Sequence, residues 1–287
     1  MACGLLALQR EAGEVGTATT YGVGQLVGIA IGTPGVERVV VGLGGSGTND
    51  GGAGMWAALG AQPEEVLRGG GMALRDLAAV TTASVGSVSL VAATDVDNPL
   101  LGLHGATAVY GPQKGADQAA VMSLDMALER WADLVETAVG TPGLRDAVGA
   151  GAAGGLGFGL LALGAERVSG VELVAAAVAL ATTIDGADLV VTGEGRFDGT
   201  SLRGKVVCGV ARHAQEAGVP CVVAAGQSEV GAREAAANGI DDVFSIAGLR
   251  GGAEAALAAG PEGIRELGAA VAAEWSRRSD GDRLDDA

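Results

Sequence analysis

The chain has 287 residues, of which 48% are hydrophobic and 18% are charged, so it can bury a core and carries too little charge for a disordered protein. Its formal net charge of −16 argues against binding to nucleic-acid phosphates or to an anionic membrane surface. The N terminus carries no basic leader, and the three cysteines show no metal-ligand spacing. We therefore expect a cytoplasmic protein with reduced thiols and no membrane segment.

The first half of the chain contains two predicted strands and one long helix. An apolar run at 36–43 predicts a buried strand, which leads through a glycine loop into a helix near 53–60. The segment 87–96 predicts the next strand. Apolar residues recur every three or four positions from Val121 to Ala138, which indicates a helix over 116–139.

The second half alternates short apolar runs with helical patterns. Strands are predicted at 188–192, 219–226 and 241–246, and helices near 204–217, 232–238 and 261–277. Strands separated by single helices predict a parallel sheet with right-handed crossovers. The predicted fold class is therefore α/β, with two domains and a boundary near 166–172.

The densest signal is the segment VVVGLGGSGTNDGGAG, in which a strand runs into glycines and then into a helix. Free backbone N–H groups and the helix dipole at such a turn can hold an anion. The same segment matches the dinucleotide fingerprint weakly, and a purely structural turn is the other alternative. The candidate binding residues here are Gly44, Gly45, Ser46, Thr48, Asn49 and Asp50.

The strand at 87–96 ends in acidic residues. Asp95 and Asp97 are one residue apart, a spacing that can hold Mg²⁺ or supply a base toward a hydroxyl group. Asn98 follows them, and an Asx turn is the structural alternative. The two lysines of the chain, Lys114 and Lys205, both lie in glycine-flanked loops, which favours contact with phosphate.

A third loop, TGEGRFDGTSLRGK, is a near match to the Walker A phosphate loop. Val206 replaces the hydroxyl residue that should ligate Mg²⁺, and the predicted strand ends too early, at Thr192. We therefore expect a different nucleotide or phosphate loop. Its candidate residues are Glu194, Arg196, Asp198 and Lys205.

Taken together, these blocks resemble the type I glycerate kinases. The segments GLGGSGTNDGGAG, DVDNPLLGLHGATAVYGPQKGA, GAGAAGGLGFGLLALGA and TGEGRFDGTSLRGK occur in the family order across nearly the whole chain. The resemblance implies a phosphotransferase that uses ATP and Mg²⁺ to phosphorylate D-glycerate. It also implies a Rossmann-like parallel α/β domain, formed by residues 1–15 and 169–287, and an inserted α/β middle domain, formed by residues 16–168.

Roles for individual residues are hypotheses at this point. Asp95 or Asp198 would be the base or the metal carboxylate, and Arg196 and Lys205 would contact phosphate or the substrate carboxylate. The glycine-loop residues, Asp97, Asn98, Lys114 and Glu194 would bind substrate or nucleotide. The sequence leaves open whether the product is 2- or 3-phosphoglycerate and whether the protein forms a homo-oligomer.

This sequence lacks the family's N-terminal Asp-Ser-Phe-Lys-Gly-Ser and Gly-Gly-Glu-Gly segments. We therefore expect an incomplete Rossmann-like domain, whose sheet is short and has an exposed or oligomer-covered edge. A catalytically silent truncated fragment that only binds ligand is the main alternative to a kinase, and a dinucleotide-dependent oxidoreductase is the second.

Overall fold

The computed structural model describes residues 3–5, 14–202 and 206–285, with side chains described as far as residue 277. The chain forms two compact units, Met1–Gly170 and Val171–Ala287. Each unit contains a three-stranded parallel sheet with helices, so the predicted α/β class is confirmed. The predicted domain limits, 16–168 for one domain and 1–15 with 169–287 for the other, stay a prediction.

The sheet of the first unit has the strand order β1-β2-β3. Its strands are β1 (Arg38–Gly42), β2 (Ser89–Ala93) and β3 (Glu166–Val168), all parallel. The first two strands are those that the sequence predicts, whereas β3 was missed because it is short and mostly polar. Gly42 pairs with Ala93, and Ala93 pairs with Val168, so the three carboxyl ends lie side by side.

Six helices and three 3₁₀ turns complete the described part of the first unit. The helices are α1 (Tyr21–Ile31), α2 (Ala53–Ala58), α3 (Glu64–Arg68), α4 (Ala106–Tyr110), α5 (Gln118–Val139) and α6 (Ala152–Ala162). The 3₁₀ turns are Gly71–Asp76, Pro112–Lys114 and Leu144–Asp146. The predicted long helix is confirmed as α5, which Asp117 caps by accepting from the Ala120 N–H at 2.8 Å.

The two tryptophans in the core of this unit donate hydrogen bonds to glycine-rich segments. The rings of Trp56 and Trp131 are fully buried and meet edge to face, with centroids 5.5 Å apart. Trp131 Nε1 donates to the carbonyl of Gly51 at 3.0 Å, and Trp56 Nε1 donates to the carbonyl of Gly159 at 2.9 Å. The packed core is therefore tied to the loop before α2 and to the backbone of α6.

The sheet of the second unit has the order β4-β5-β6. Its strands are β4 (Val190–Phe197), β5 (Cys221–Ser228) and β6 (Asp242–Ser245), all parallel. The helices are α7 (Gly170–Ala177, beginning at the last residue of the first unit), α8 (Leu180–Asp185), α9 (Val206–Ala217), α10 (Ala232–Ala236), α11 (Ile246–Arg250) and α12 (Ala253–Asp285). The last helix begins earlier than predicted and changes direction at Gly260, whose φ is 52°.

The prediction that the first of these strands ends at Thr192 was wrong, because β4 continues to Phe197. The glycines that suggested a loop are strand positions where the neighbouring backbone comes close. A Cβ atom on Gly193 would lie 2.0 Å from the carbonyl oxygen of Ala224, its partner on β5. Glycine in a strand often marks such a close approach.

The predicted short C-terminal sheet is confirmed, since it has three strands in the described part of the chain. In that part, β4 and β6 each pair with β5 only, and Val191 on β4 is half exposed.

Among the residues described, no helix combines the length and apolar character needed to cross a bilayer.

Candidate active site

The candidate site lies at the carboxyl edge of the first sheet. The register of the three strands brings the loop after β1, the segment 94–98 after β2 and the turn 169–170 after β3 to the same edge. Ligands of parallel α/β sheets bind beyond this edge. The structure thus brings together the glycine loop and the acidic segment that the sequence predicts as separate motifs.

The glycine loop exposes its glycines and buries its polar side chains. Gly44 and Gly45 are exposed, and Gly45 has a φ of 64°, which favours glycine. The polar residues that follow are all buried: Ser46, Thr48, Asn49 and Asp50. Because of this division, the backbone of Gly44 and Gly45 is the part of the loop that an anion can reach.

Lys114 holds the loop from the inside. Its side chain is only 5% exposed, and Nζ donates to Ser46 Oγ at 3.1 Å and to the carbonyl of Thr48 at 2.7 Å. Burial lowers the pKa of Lys114 to about 8, although the charges of Cys3 and Asp50 oppose that shift. These contacts indicate that Lys114 fixes the loop, and a direct contact with phosphate stays a prediction.

Asp50 is a buried anchor for the start of α2. Its Oδ2 atom accepts from the Thr20 N–H at 2.7 Å, the Thr20 hydroxyl at 2.9 Å and the Gly54 N–H at 3.2 Å. Its Oδ1 atom accepts from the Gly52 N–H at 3.1 Å. Burial raises the pKa of Asp50, and these four hydrogen bonds act in the opposite direction. The sequence reasoning missed Thr20, which precedes α1 but whose hydroxyl group bonds to Asp50 and does not cap that helix.

A second glycine-rich segment supports the first. Ala153, Gly154 and Gly155 all adopt left-handed backbone angles, and the carbonyl of Gly154 accepts from the Gly51 N–H at 3.0 Å. A Cβ atom on Gly154 would lie only 1.9 Å from the carbonyl oxygen of Thr48. The loop after β1 therefore packs closely against this segment.

Asn49 adds one more link and leaves one atom unused. Its Nδ2 group donates to Thr107 Oγ1 at 2.9 Å, which ties the loop to α4. Its Oδ1 atom is buried and accepts no hydrogen bond from the residues that the structure describes.

Beside the loop lies a mostly apolar cavity of about 280 Å³, lined in part by Cys3 and Ser46.

The three polar residues after β2 have different environments. Asn98 is used by the protein, because its Nδ2 donates to the carbonyl of His104 at 2.7 Å and its Oδ1 accepts from the Tyr110 hydroxyl at 2.8 Å. Asp97 is 77% exposed and forms an ion pair with Arg167 at 2.5 Å. These two side chains shape the surface of the loop that follows β2.

Asp95 differs from both. It is half-buried, and its Oδ1 atom accepts from the Ser169 hydroxyl at 2.6 Å. Within the described ranges, its Oδ2 atom accepts no hydrogen bond. Asp95 is therefore the predicted carboxylate of this edge that keeps an oxygen for a ligand. Ser169 belongs to no motif that would single it out in the sequence.

The candidates of the second unit lie on and after β4. Glu194, Arg196 and Asp198 are spaced by two residues, which places them on the same side of an extended chain. Arg196 pairs with Glu229 at 2.6 Å and lies 3.7 Å from Asp198 Oδ2. Asp198 Oδ1 also accepts from the N–H and the hydroxyl of Thr200. Lys205 lies outside the described residues.

A magnesium ion needs few protein ligands in this kind of site. Among the described residues, no three His, Cys, Asp or Glu side chains come together as a metal cluster. Mg²⁺ in phosphoryl-transfer enzymes commonly takes one or two carboxylates, while waters and substrate phosphates complete its shell. Asp95 with its available oxygen fits that limited role, and Asp198 is the candidate of the second unit.

The chain matches one protein-family model and is similar in sequence to curated proteins. The model of the glycerate kinase family matches residues 1–276. A glycerate kinase of Bacillus subtilis (strain 168) is 45% identical over 238 residues, which are 79% of this chain and 62% of that protein. Glycerate 2-kinase of Escherichia coli (strain K12) is 39% identical over 255 residues, covering 85% of this chain and 66% of that protein.

A solved structure agrees with these sequence relatives. A crystal structure from Salmonella typhimurium LT2, assigned as a glycerate kinase 2, matches with a TM-score of 0.65 and 35% identity. The match covers 91% of this chain and 71% of that one. The chain spans 62% and 66% of the length of the two curated relatives described above.

Proposed function

We propose that this chain, which belongs to the glycerate kinase family, transfers the γ-phosphoryl group of ATP to a hydroxyl group of D-glycerate. One structural observation supports this proposal best. The exposed backbone of Gly44 and Gly45 and the carboxylate of Asp95 lie at the same edge of one parallel sheet. An anion site beside a carboxylate is what phosphoryl transfer to an alcohol requires.

Phosphoryl transfer depends mainly on positioning and on neutralising charge. In this proposal, the backbone of Gly44 and Gly45 receives a phosphate group, because no side chain shields it. The contacts of Lys114, Asp50 and Asn49 keep the loop in that shape before a ligand arrives. A rigid loop binds without first losing conformational entropy.

Asp95 is proposed as the base that takes the proton from the attacking hydroxyl group of glycerate. As that oxygen forms its bond to the γ-phosphorus, the bond from phosphorus to the bridging oxygen breaks and ADP leaves. A Mg²⁺ ion that accompanies ATP would neutralise phosphate charge. Holding that ion is the alternative role for Asp95, because an oxygen bound to Mg²⁺ does not take up a proton, and Asp198 is the candidate ligand of the second unit. We also propose a cytoplasmic location, while homo-oligomerisation stays a prediction.

A coupled assay of ADP release with D-glycerate, ATP and Mg²⁺ tests the proposal. Asp95→Asn should lower kcat about 10²-fold or more, because an amide cannot accept the hydroxyl proton. Asp133→Asn is the matched control and should stay within about twofold, since its exposed ion pair with Arg145 contributes little.

Several outcomes would contradict the proposal. Turnover of another hydroxy acid without turnover of glycerate would refute the substrate class. No turnover, combined with calorimetric binding of glycerate or ATP, would favour the silent fragment.

Phosphorus NMR of the product would distinguish phosphorylation at C2 from phosphorylation at C3.

A further inference from the structure

Two residues after β3, Ser169 and Gly170, lie beside the carboxylate of Asp95. On one side, the Ser169 hydroxyl donates to Asp95 Oδ1 at 2.6 Å, a distance typical of a strong hydrogen bond to a carboxylate. On the other side, a Cβ atom added to Gly170 would lie 3.2 Å from Asp95 Oδ2. One residue of this turn therefore holds the carboxylate, and the next one leaves space beside it.

The sheet itself fixes this arrangement. Ala93 of β2 pairs with Val168 of β3, and the Thr94 N–H donates to the carbonyl of Val168 at 2.9 Å. Asp95 and Ser169 each follow directly after these paired positions. A contact built on paired strands is held more accurately than one between two free loops.

We propose that Ser169 and Gly170 are positioning residues for Asp95. Ser169 holds Oδ1 so that Oδ2 is presented to the substrate, and Gly170 keeps the space that the substrate hydroxyl group occupies. The inference rests on the proposed function, because it assigns the presented oxygen to the reaction. The terminal torsion of an aspartate is broad, so without Ser169 the carboxylate samples unproductive orientations.

Gly170 offers a test that separates positioning from folding. It is the first residue of α7, and it is not among the glycines with a positive φ. Alanine therefore fits the backbone there, and alanine favours a helix more than glycine does. Gly170→Ala should leave the melting temperature unchanged or higher and still lower kcat about fivefold, because its methyl group crowds Oδ2.

Steady-state kinetics with D-glycerate provide the main experiment. Ser169→Ala should lower kcat roughly tenfold or more and change KM less than about twofold, since the hydroxyl group orients the base and not the substrate. Ser169→Thr keeps a hydroxyl group and should recover most of kcat. The matched control is Ser84→Ala, which removes an exposed serine in another loop and should have no effect.

A double-mutant cycle decides whether Ser169 acts through Asp95. In an Asp95→Asn background, Ser169→Ala should cost less than about twofold, because the group it positions is already gone. A full, multiplicative loss in that background would overturn the inference. Wild-type kcat in Ser169→Ala would overturn it as well.

A spectroscopic measurement keeps the inference separable from the proposed function. If the wild-type chain does not phosphorylate glycerate, the proposed function fails, and carboxyl ¹³C NMR at neutral pH tests the contact instead. The Asp95 signal, assigned by its loss in Asp95→Asn, should shift in Ser169→Ala and return toward its wild-type position in Ser169→Thr. An unchanged signal in Ser169→Ala would show that the hydroxyl group does not hold the carboxylate.

Discussion

Replacing Asp50 with alanine should strongly destabilise the first unit, whereas replacing it with asparagine should not. The alanine variant removes the acceptor for four donors, which belong to Thr20, Gly52 and Gly54. All three residues are buried, so water cannot replace the lost acceptor. Each unsatisfied donor costs free energy of folding.

The size of the effect follows from the contacts. At about 1 kcal/mol for each lost hydrogen bond, Asp50→Ala should lower the free energy of unfolding by about 4 kcal/mol. The carbonyl group of asparagine can take the place of Oδ2 and keep three of the four bonds, while its amide group faces the Gly52 N–H. Asp50→Asn should therefore lose about 1 kcal/mol, which leaves a difference of about 3 kcal/mol between the two variants.

Urea unfolding followed by tryptophan fluorescence measures this difference. Trp56 and Trp131 lie in the core of the first unit, and Trp275 lies on α12. The experiment should use a Trp275→Phe background, so that the signal reports the first unit alone. Equal free energies of unfolding for Asp50→Ala and Asp50→Asn would refute the reasoning that Asp50 stabilises the fold through its acceptor atoms.

Two further predictions concern the same loop. Burial lowers the pKa of Lys114 to about 8 from 10.5, so the folded chain releases this proton at a lower pH than the unfolded chain does. Wild-type stability relative to Lys114→Met should therefore rise between those pH values, by up to roughly 3 kcal/mol in denaturation curves, and a flat difference would contradict the burial argument. Gly154→Ala places a methyl group 1.9 Å from the Thr48 carbonyl and should prevent stable folding. Gly115→Ala, also at positive φ but in open space, should cost only about 1 kcal/mol in thermal melting, and equal losses would count against the close contact.

Apolar patterns predicted five of the six strands in the described residues, but only some of the helices. Helix α5 was found because its apolar period is long and because Gly140 ends it. The end of β4 was misplaced because Gly193 resembles a loop residue in sequence, and its role depends on the close backbone of β5. Strand β3 was missed because three residues carry too little pattern.

The site residues stay a prediction, but the structure shows side-chain environments that the sequence does not reveal. Polar residues among glycines indicated that Ser46 and Asp50 would face a ligand, yet both are buried and bonded within the protein. Their partners, Lys114 and Thr20, are far away in sequence, so no local pattern reveals the pairing. Ser169 gave no signal at all, because a single serine after a polar segment is common.

The interlocked glycine segments limit how this protein can exchange parts with its relatives. The N–H of Gly51 is bonded to the carbonyl of Gly154, and Gly154 has no room for a side chain beside Thr48. A chimera that imports the segment 44–54 from another protein should therefore fold only if it also imports the segment 149–159. The two segments are far apart in sequence, yet a functional recombinant must take both of them from the same parent.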